Sequence, residues 1–495
     1  MARPFFERED VDDALVDLAN SDTLTQIVGA GASAEAGLPT WPELIDGILV
    51  DVARRVGLPP GLSPRARRAW IESFVSSLTG LYGLPGAGAI GKAWLGDDFE
   101  GRVRHHLYSH VPNPRPGRVA QGVAQLQVAF GADCAIATTN YDTLLEQALR
   151  AEGVRDVKTY VVNRETGSGV VVRHLHGLLT PDESRGRIVL TESDYYQMQA
   201  PRIWQEQYAQ DRLRRSTCLF VGTSLSDPNL LRYLYRTGDP AEHFALFTRQ
   251  SDSLRDGLAD DLADSRDKAV LRRWREMNVQ PVIADYFVQS AQFLHEVARL
   301  RRLGRTYEPY VDRLDDWEEA MYSTLFQTRN VGRFRRTQDA LHAQLSEWLE
   351  AVEQYVDRRR LSRRRELLGL HLWVRRPRRR GLILGASSDR VWRSPGAVQD
   401  IRIKLPTIWV AIEAFCRGRP MVQSIGRELA SRWRYVVGIP VFTDSEPWGS
   451  LPVGVLTLAS DQPAATSSLR RLGPDLFDTV APYLATNARE LLTPA

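Results

Sequence analysis

Short apolar runs alternate with helical patterns along the first 300 residues of the chain. Each run is β-branched or hydrophobic and is bounded by turn residues, which is typical of strands buried on both faces. The candidate strands are Leu24–Val28, Cys134–Thr138, Val170–Arg173, Cys218–Val221, Phe244–Phe247 and Pro281–Ala284. Strands that alternate with helices predict an α/β fold with a mostly parallel sheet and helices on both faces.

About a hundred residues between the first two candidate strands lack a strong strand pattern. Four helical patterns fill this interval, separated by Gly/Pro-rich joints such as residues 83–88. They are Pro42–Val56, Pro64–Leu78, Phe99–Ser109 and Arg118–Phe130. We interpret residues 42–130 as a helical insertion over the mouth of the sheet, where mobile helices could close over a ligand.

The pattern changes after about residue 305. Apolar positions at helical spacing predict long helices over residues 310–365. Beyond them, alternating runs predict a smaller α+β domain with an antiparallel sheet. Its predicted strands are Leu370–Val374, Leu382–Ala386, Tyr435–Val441 and Gly454–Ala459, and its predicted helices are Trp409–Cys416 and Leu469–Leu492. We therefore divide the chain into a domain over residues 1–305, a helical linker over 306–366 and a domain over 367–495.

Composition narrows the class of protein without identifying it. Hydrophobic residues make up 43% of the 495 residues and charged residues 25%, as in ordinary soluble proteins. No run of about 18 apolar residues predicts a membrane span. Acidic residues occupy the positions where a signal peptide would have its apolar core, so we expect a cytoplasmic protein.

Basic residues cluster between Arg358 and Arg380, although the net charge is only +3. Such a cluster could attract nucleic acid. A solvated helix face followed by a hairpin turn is the interpretation that we favour, because only Trp373 supplies an aromatic side chain nearby.

The three cysteines, Cys134, Cys218 and Cys416, are isolated in the sequence. Their spacing favours neither a disulfide nor a Cys-x-x-Cys zinc site. We expect packing residues, with Cys134 and Cys218 inside strands, and no bound metal.

A glycine-rich turn follows the first strand, with the sequence Gly29-Ala30-Gly31-Ala32-Ser33. Glycines permit positive φ and close approach of a ligand. Free N–H groups where a strand turns into a helix would bind an anion such as a pyrophosphate. Ala34 stands where a dehydrogenase-type G-x-G-x-x-G would have its third glycine, so the motif alone is also compatible with an ordinary tight turn.

Three more segments follow predicted strands, at the edge where open α/β sheets bind ligands. Residues 138–142 read Thr-Thr-Asn-Tyr-Asp, with Asp142 placed to cap the next helix and Asn140 placed to hold a ribose hydroxyl or a water. Residues 174–178 read His-Leu-His-Gly-Leu, which puts both imidazoles on one face of a strand. Residues 222–229 read Gly-Thr-Ser-Leu-Ser-Asp-Pro-Asn, a capped turn or a set of hydroxyls and amides that face a sugar.

The order of these four motifs resembles the sirtuin NAD-binding fold over about residues 20–290. It is similar in particular to the sirtuin-like NAD hydrolases of bacterial antiphage defence, such as Thoeris effectors. The resemblance implies a Rossmann-like NAD pocket, with His176, Asn140 and Asp142 as catalytic residues. The residues that it implies for NAD binding are Gly29, Ala30, Gly31, Ser33, Thr139, Gly222, Thr223, Ser224 and, beside the adenine, Tyr286 or its neighbour Asp285.

Two departures separate the chain from protein-deacylating sirtuins. Three isolated cysteines cannot build the four-cysteine zinc module of those enzymes, and Thr40-Trp41-Pro42 replaces their Asp-Phe-Arg. Both departures fit the hydrolase branch. The strands of residues 370–386 and 436–458 resemble a GAF sensory domain, a family that binds small molecules or mediates dimerisation.

The resemblance implies an NAD glycohydrolase that cleaves the nicotinamide–ribose bond of its substrate NAD and depletes cellular NAD in abortive infection. The GAF-like domain would gate the enzyme in response to a small-molecule or phage-derived activator, and a homo-oligomer is expected. The alternatives are an NAD-dependent protein deacylase, an ADP-ribosyltransferase and a non-catalytic NAD or ADP-ribose sensor.

Overall fold

The computed structural model describes residues 3–494 except 112, 163–168, 199–202, 237–241, 250–257, 327–329, 362–365, 377–380, 406 and 427–430. Two compact units are present. The first contains residues 1–249, 260–285 and 293–305, and the second contains 250–259, 286–292 and 306–495. Of the Arg-rich cluster, residues 363–365 and 378–380 lie outside the described part of the chain.

A seven-stranded sheet forms the core of the first unit, and all of its pairings are parallel. Its strand order is β3-β4-β2-β1-β7-β8-β9, with β1 in the middle. The strands are β1 (Leu24–Val28), β2 (Cys134–Thr138), β3 (Val157–Tyr160), β4 (Val170–His174), β7 (Thr217–Val221), β8 (His243–Thr248) and β9 (Val279–Ala284); a separate small hairpin consists of β5 (Leu178–Leu179) and β6 (Ser184–Arg185). The six strands predicted from apolar runs are all present, so the predicted Rossmann-like α/β architecture is confirmed.

The helices up to residue 303 precede, separate or follow these strands in the sequence. They are α1 (Glu9–Asn20), α2 (Trp41–Val56), α3 (Pro64–Leu95), α4 (Phe99–Tyr108), α5 (Arg118–Phe130), α6 (Leu144–Ala151), α7 (Glu192–Gln197), α8 (Trp204–Arg215), α9 (Pro228–Arg236), α10 (Leu258–Arg275) and α11 (Phe287–Leu303). Helices α2 to α5 make up the predicted helical insertion. The predicted joint at residues 83–88 is a kink inside α3, where Gly83 has φ 66° and ψ 176°.

The second unit is built on a six-stranded antiparallel sheet with the order β12-β11-β10-β15-β14-β13. Its strands are β10 (Leu368–Arg375), β11 (Gly381–Ser387), β12 (Asp400–Arg402), β13 (Met421–Ser424), β14 (Tyr435–Phe442) and β15 (Pro452–Ser460). Its helices are α12 (Tyr310–Leu325), α13 (Val331–Arg358), α14 (Val410–Arg417), α15 (Ser468–Arg471) and α16 (Ala481–Leu492). The predicted separate antiparallel α+β region is therefore confirmed.

The predicted continuous helix over residues 469–492 is wrong. Gly473 adopts φ 58°, a left-handed conformation that ends α15. A π-helical turn at Leu476–Val480 then leads into α16. A glycine followed by a proline, Pro474, interrupts the backbone hydrogen bonding that a continuous helix would need.

Candidate functional site

The carboxyl ends of three adjacent strands meet at the middle of the parallel sheet. Val28 at the end of β1 lies between Thr138 of β2 on one side and Val221 of β7 on the other. The strands that follow β1 in sequence, β2 to β4, lie on one side of it, and β7 to β9 lie on the other side, which makes the end of β1 a topological switch point. Three of the four motifs, those that begin at Gly29, Thr138 and Gly222, are therefore brought together.

The glycine turn packs against the Gly222 loop. A Cβ added at Gly29 or at Gly31 would lie 2.8 Å from the carbonyl oxygen of Gly222. Gly222 itself has φ 64°, and its Cβ would lie 2.4 Å from the amide nitrogen of Ala32. The three glycines thus permit close contact between two protein loops.

The expectation of positive φ at Gly29 and Gly31, followed at once by a helix, is wrong. Gly29 is extended with φ −113°, and Gly31 lies in a 3-10 turn over Ala30–Ala32. A second 3-10 turn follows at Ala34–Ala36, and α2 begins only at Trp41. The segment after Gly29, which packs against the Gly222 loop, thus forms two short 3-10 turns where the sequence predicted the start of a helix.

The amides of the turn are mostly paired inside the protein. Gly29 donates to Val221 (2.9 Å) and Gly31 donates to Gly222 (2.7 Å). The amides of Ala32 and Ser33 donate to the carbonyl oxygens of Gly29 and Ala30, each over 3.0 Å. The free donors that the sequence predicted are thus paired at these four positions. A phosphate bound here would have to use other donors or displace these bonds.

Asn140 lies at the centre of a buried polar cluster that contacts the glycine turn. Its Nδ2 donates to the carbonyl oxygen of Gly29 (3.1 Å) and to Oγ of Ser33 (2.9 Å). Its Oδ1 is buried and has no hydrogen-bond partner among the described residues. An unpaired buried acceptor is costly to a fold, so Oδ1 is suited to accept a hydrogen bond from a hydroxyl group or a water.

Asp142 joins the same cluster. Its Oδ2 accepts from Oγ of Ser33 (2.8 Å), and its Oδ1 accepts from the amide of Leu144 (3.0 Å) at the start of α6. Asp142 thus bonds the first amide of α6, as predicted for a cap, from the position before the N-cap residue Thr143. Burial raises the pKa of Asp142, partly offset by these two hydrogen bonds.

His174 is hydrogen-bonded to the backbone of Asn140. Its Nδ1 donates to the carbonyl oxygen of Asn140 (3.0 Å), and its Nε2 lies 2.9 Å from Oε1 of Glu146. Burial lowers the pKa of His174, but the hydrogen bond and charge of Glu146 outweigh that effect and leave it raised. His174 and Glu146 thus form a buried ion pair that fixes the backbone at Asn140.

His176 lies in a second polar group. Its Nε2 is 3.4 Å from Oδ2 of Asp227, and its ring meets the Tyr195 ring edge-on at 5.7 Å. Burial lowers the pKa of His176, and the nearby Asp227 carboxylate opposes that shift only in part. The imidazole is accordingly neutral near pH 7 and can accept a proton.

Val189 connects the two polar groups through backbone atoms. Its amide donates to the carbonyl oxygen of His176 (3.1 Å), and its carbonyl oxygen accepts from the hydroxyl of Tyr141 (2.8 Å). Asn140 is 6% exposed and His176 is 5% exposed. A substrate would therefore reach both side chains only after the surrounding loops move.

The remaining predicted binding residues lie near the strand ends or in the other unit. Thr139 is half-buried and donates its amide to Val28 (3.0 Å). Thr223 accepts from the amide of Leu225 (3.1 Å), and exposed Ser224 is 2.5 Å from Ser226 through their hydroxyl oxygens. Tyr286 follows β9 but belongs to the second unit, in which its hydroxyl donates to the carbonyl oxygen of Ile403 (3.4 Å). Its predicted place beside an adenine stays a prediction.

Several polar partners at the site escaped sequence reasoning. The turn over residues 222–229 predicts a helix capped at Ser226 or Asp227. The cap of α9 is Asp227, because its Oδ1 accepts from the amides of Asn229 (2.9 Å) and Leu230 (3.0 Å). Tyr195 carries no local pattern that would connect it with a histidine 19 positions earlier. The His174–Glu146 pair could have been suspected from a glutamate on the apolar side of the short helix α6.

Comparison with known proteins connects this geometry with one family. The family model described as a SIR2-like domain matches residues 134–282. This stretch of the chain is therefore similar to SIR2-like domains. The matched residues include Asn140, His176 and the loop that begins at Gly222.

Solved Sir2 structures overlap the chain only weakly. A Sir2 homologue in complex with NAD is 17% identical, with 59% of this chain and 93% of that chain covered and a TM-score of 0.29. A structure that addresses the mechanism and regulation of Sir2 enzymes is 13% identical, with 61% and 100% covered and a TM-score of 0.32. A mutant Sir2 homologue in complex with ADP-ribose is 18% identical, with 52% and 97% covered and a TM-score of 0.28. No curated protein matches the chain.

Among the described residues, no group of three or more His, Cys, Asp or Glu side chains is arranged to hold a metal ion. Within the same residues, no helix combines the length and apolar character needed to cross a membrane. Cys134 and Cys218 are buried in β2 and β7, as predicted, and Cys416 is buried in α14.

Proposed function

We propose that the chain is an NAD glycohydrolase. The observation that carries the proposal is the buried Oδ1 of Asn140, which lacks a protein partner among the described residues at the switch point of a SIR2-like domain. Such an acceptor fits a ribose hydroxyl or an attacking water. His176, whose pKa is lowered by burial, would supply a neutral base.

The proposed reaction converts NAD and water into nicotinamide and ADP-ribose. The bond between nicotinamide and C1′ of the ribose breaks with both electrons moving to nicotinamide, and a bond from C1′ to the water oxygen forms. The proton that the water loses passes to His176 and then to solvent. The ribose becomes oxocarbenium-like as the bond breaks. Because the buried site excludes bulk water, one positioned water molecule would attack C1′.

Ser33 and Asp142 support this chemistry by orienting Asn140. Oγ of Ser33 accepts a hydrogen bond from Nδ2 of Asn140 and donates one to Asp142, so the amide group cannot rotate freely. The carbonyl oxygen Oδ1, which has no partner among the described residues, is thereby held in one orientation. Thr139, Thr223 and Ser224 line the loops that would contact the ribose and phosphates of NAD.

The burial of Asn140 and His176 favours a resting enzyme that is closed. An unrestrained NAD hydrolase would be toxic to its own cell, so we infer that an activator opens the site. The GAF-like second unit is the proposed sensor, and abortive infection in antiphage defence is the proposed role. A small molecule or phage-derived component is the proposed activator, and homo-oligomers are the proposed assembly.

Nicotinamide release tests the proposal. Purified protein is incubated with NAD, with and without lysate of phage-infected cells, and nicotinamide is quantified. We expect His176→Ala and Asn140→Ala each to lower kcat by roughly 10²- to 10⁴-fold, the usual range for a general acid–base group. Measurements of particle size in the same samples test the proposed assembly.

Matched controls exist for both substitutions. His110 and Asn20 are exposed, so His110→Ala and Asn20→Ala should retain wild-type turnover. Near-wild-type turnover in both site variants would refute the assignment. Consumption of NAD only in the presence of an acyl-lysine peptide would favour the deacylase instead, and binding of NAD without turnover would favour a sensor.

A further inference from the structure

A carboxylate and a phenol converge on His176 from elements distant in sequence. The Tyr195 hydroxyl donates to Oδ2 of Asp227 (2.9 Å), and the same oxygen lies 3.4 Å from Nε2 of His176. All three side chains are buried. The edge-on Tyr195 ring also restricts rotation of the imidazole.

Helix capping uses only one of the two carboxylate oxygens of Asp227. Its Oδ1 accepts the two amides that begin α9, and this task requires one oxygen. Asparagine would serve equally well as that cap. The second oxygen, Oδ2, is buried with its charge directed at Tyr195 and His176, and burying a charge is costly unless it has a role or a partner.

We propose that Asp227 is the positioning residue of His176 and that Tyr195 moderates the effect of the Asp227 charge on the imidazole. This inference rests on the proposed function and deepens it. Asp227 holds a proton on Nε2 of His176, which leaves Nδ1 as the basic nitrogen. Tyr195 limits the pull of Asp227 by donating to the oxygen that faces the imidazole.

Asp194 is a second carboxylate in the same region of the chain. The charges of Asp227 and Asp194 both add to the effect of burial in raising the pKa of Tyr141. Asp194 has its own partners: its Oδ2 accepts from the amide (2.9 Å) and hydroxyl (2.6 Å) of Thr191, and its Oδ1 lies 3.2 Å from Nζ of Lys92. Asp227 is therefore the anion that acts most directly on the His176 imidazole.

Two nearly isosteric substitutions should shift the pKa of His176 in opposite directions. Asp227→Asn retains the cap but removes the anion, so the imidazolium loses stabilisation and the pKa of His176 falls. Tyr195→Phe retains the ring but frees Oδ2 to interact with the imidazolium alone, so the pKa rises. A general loss of packing would not produce shifts of opposite sign.

Full-length protein with isotope-labelled histidine is titrated by NMR, and His176→Gln assigns the resonance. The pH dependence of nicotinamide release is measured for the same variants. We expect Asp227→Asn to lower kcat by roughly 10²-fold with little change in KM, and to move the acid limb of the profile to lower pH. For Tyr195→Phe, the acid limb should move to higher pH.

Controls come from the same region of the chain. Tyr196 lies beside Tyr195 on α7 and is 63% exposed, so Tyr196→Phe should change neither readout. Asp182→Asn, at an exposed position, tests the general loss of a negative charge. Circular dichroism confirms that each variant is folded.

The outcomes separate the two proposals. If the titrations shift as expected but the wild type releases no nicotinamide under any condition, the positioning pair is supported and the glycohydrolase is refuted. If nicotinamide is released but the pKa of His176 is unchanged, or moves the same way in both variants, the positioning pair is refuted and the glycohydrolase is retained.

Discussion

A buried histidine and a buried glutamate fix the backbone that presents Asn140. His174 and Glu146 are both almost fully buried, and each stabilises the charged form of the other. Thr159 donates a further hydrogen bond to Oε1 of Glu146 (2.7 Å). Loss of one member of such a pair is costly, because it leaves the other charge buried without compensation.

Glu146→Gln should lower the free energy of unfolding by about 3 kcal/mol near pH 6. The pKa of His174 is raised above its usual 6.5, so its contribution is complete below that value and is lost as pH rises through the raised pKa. The pKa of Glu146 is lowered: burial raises it, but His174 outweighs burial. Its contribution is present above 4.5 and is lost as pH falls through the lowered value.

Urea unfolding between pH 5 and pH 9 measures this difference. The gap between wild type and Glu146→Gln should be widest between the two usual pKa values and should narrow on the alkaline side. Glu183→Gln, at an exposed position, is the control and should leave the stability unchanged within about 0.5 kcal/mol. A gap that is independent of pH would contradict the ion pair.

At the scale of elements, the site depends on two loops that interlock through glycine. Gly222→Ala combines a left-handed φ of 64° with a Cβ that would lie 2.4 Å from a backbone nitrogen. Neither the backbone of Ala32 nor that of Gly31 can yield as a flexible side chain would. We expect the free energy of unfolding to fall by about 2–4 kcal/mol and NAD turnover to fall with it.

For Gly101→Ala, in the same unit, we expect the opposite effect on the free energy of unfolding. Gly101 is exposed in the interior of α4, and a Cβ there meets nothing within 4 Å. Alanine should therefore stabilise the protein by about 0.5–1 kcal/mol and leave turnover unchanged. Denaturant unfolding of both variants decides the matter, and equal stability of the two would contradict the loop contact.

Strands with continuous apolar runs were predictable, whereas half-exposed ones were not. The predicted bounds of β1 and β2 agree with the structure at both ends. Edge strand β3 escaped prediction because Val157–Tyr160 is only half-buried and mixes polar with apolar residues. Strand β13 has a similar character, with alternate half-buried and exposed positions at an edge.

The candidate site shows the same division between local and distant signals. Asp142 and Asp227 cap helices that begin within two residues of them, so their capping roles could be predicted from the sequence. The second carboxylate oxygen of each aspartate accepts a hydrogen bond from a residue distant in sequence. Asp142 binds Ser33 across 109 positions, and Asp227 binds Tyr195 across 32. Such contacts depend on tertiary packing, which local patterns do not encode.

At the scale of the whole molecule, the chain forms two units, each with its own sheet. Trp317 is fully buried in the second unit, and its Nε1 donates to the carbonyl oxygen of Leu492 (2.8 Å). This bond joins α12 to the end of α16, two helices at opposite ends of the second unit's sequence. Two cores also imply that unfolding need not be a single two-state transition.

Trp317→Phe tests both the stability of the second unit and its proposed control of the enzyme. The substitution leaves a buried carbonyl oxygen unpaired and a gap in the packing, which should cost about 2–4 kcal/mol. If the second unit restrains NAD cleavage, as proposed, then loosening it should raise basal turnover, because about 3–5 kcal/mol of bias is enough to keep a two-state enzyme closed. Nicotinamide release without activator, measured alongside thermal unfolding, is the readout. Trp409→Phe, at a position 39% exposed, is the matched control and should alter neither quantity. Unchanged basal turnover in a Trp317→Phe protein whose second unit is demonstrably destabilised would show that this unit does not hold the enzyme inactive.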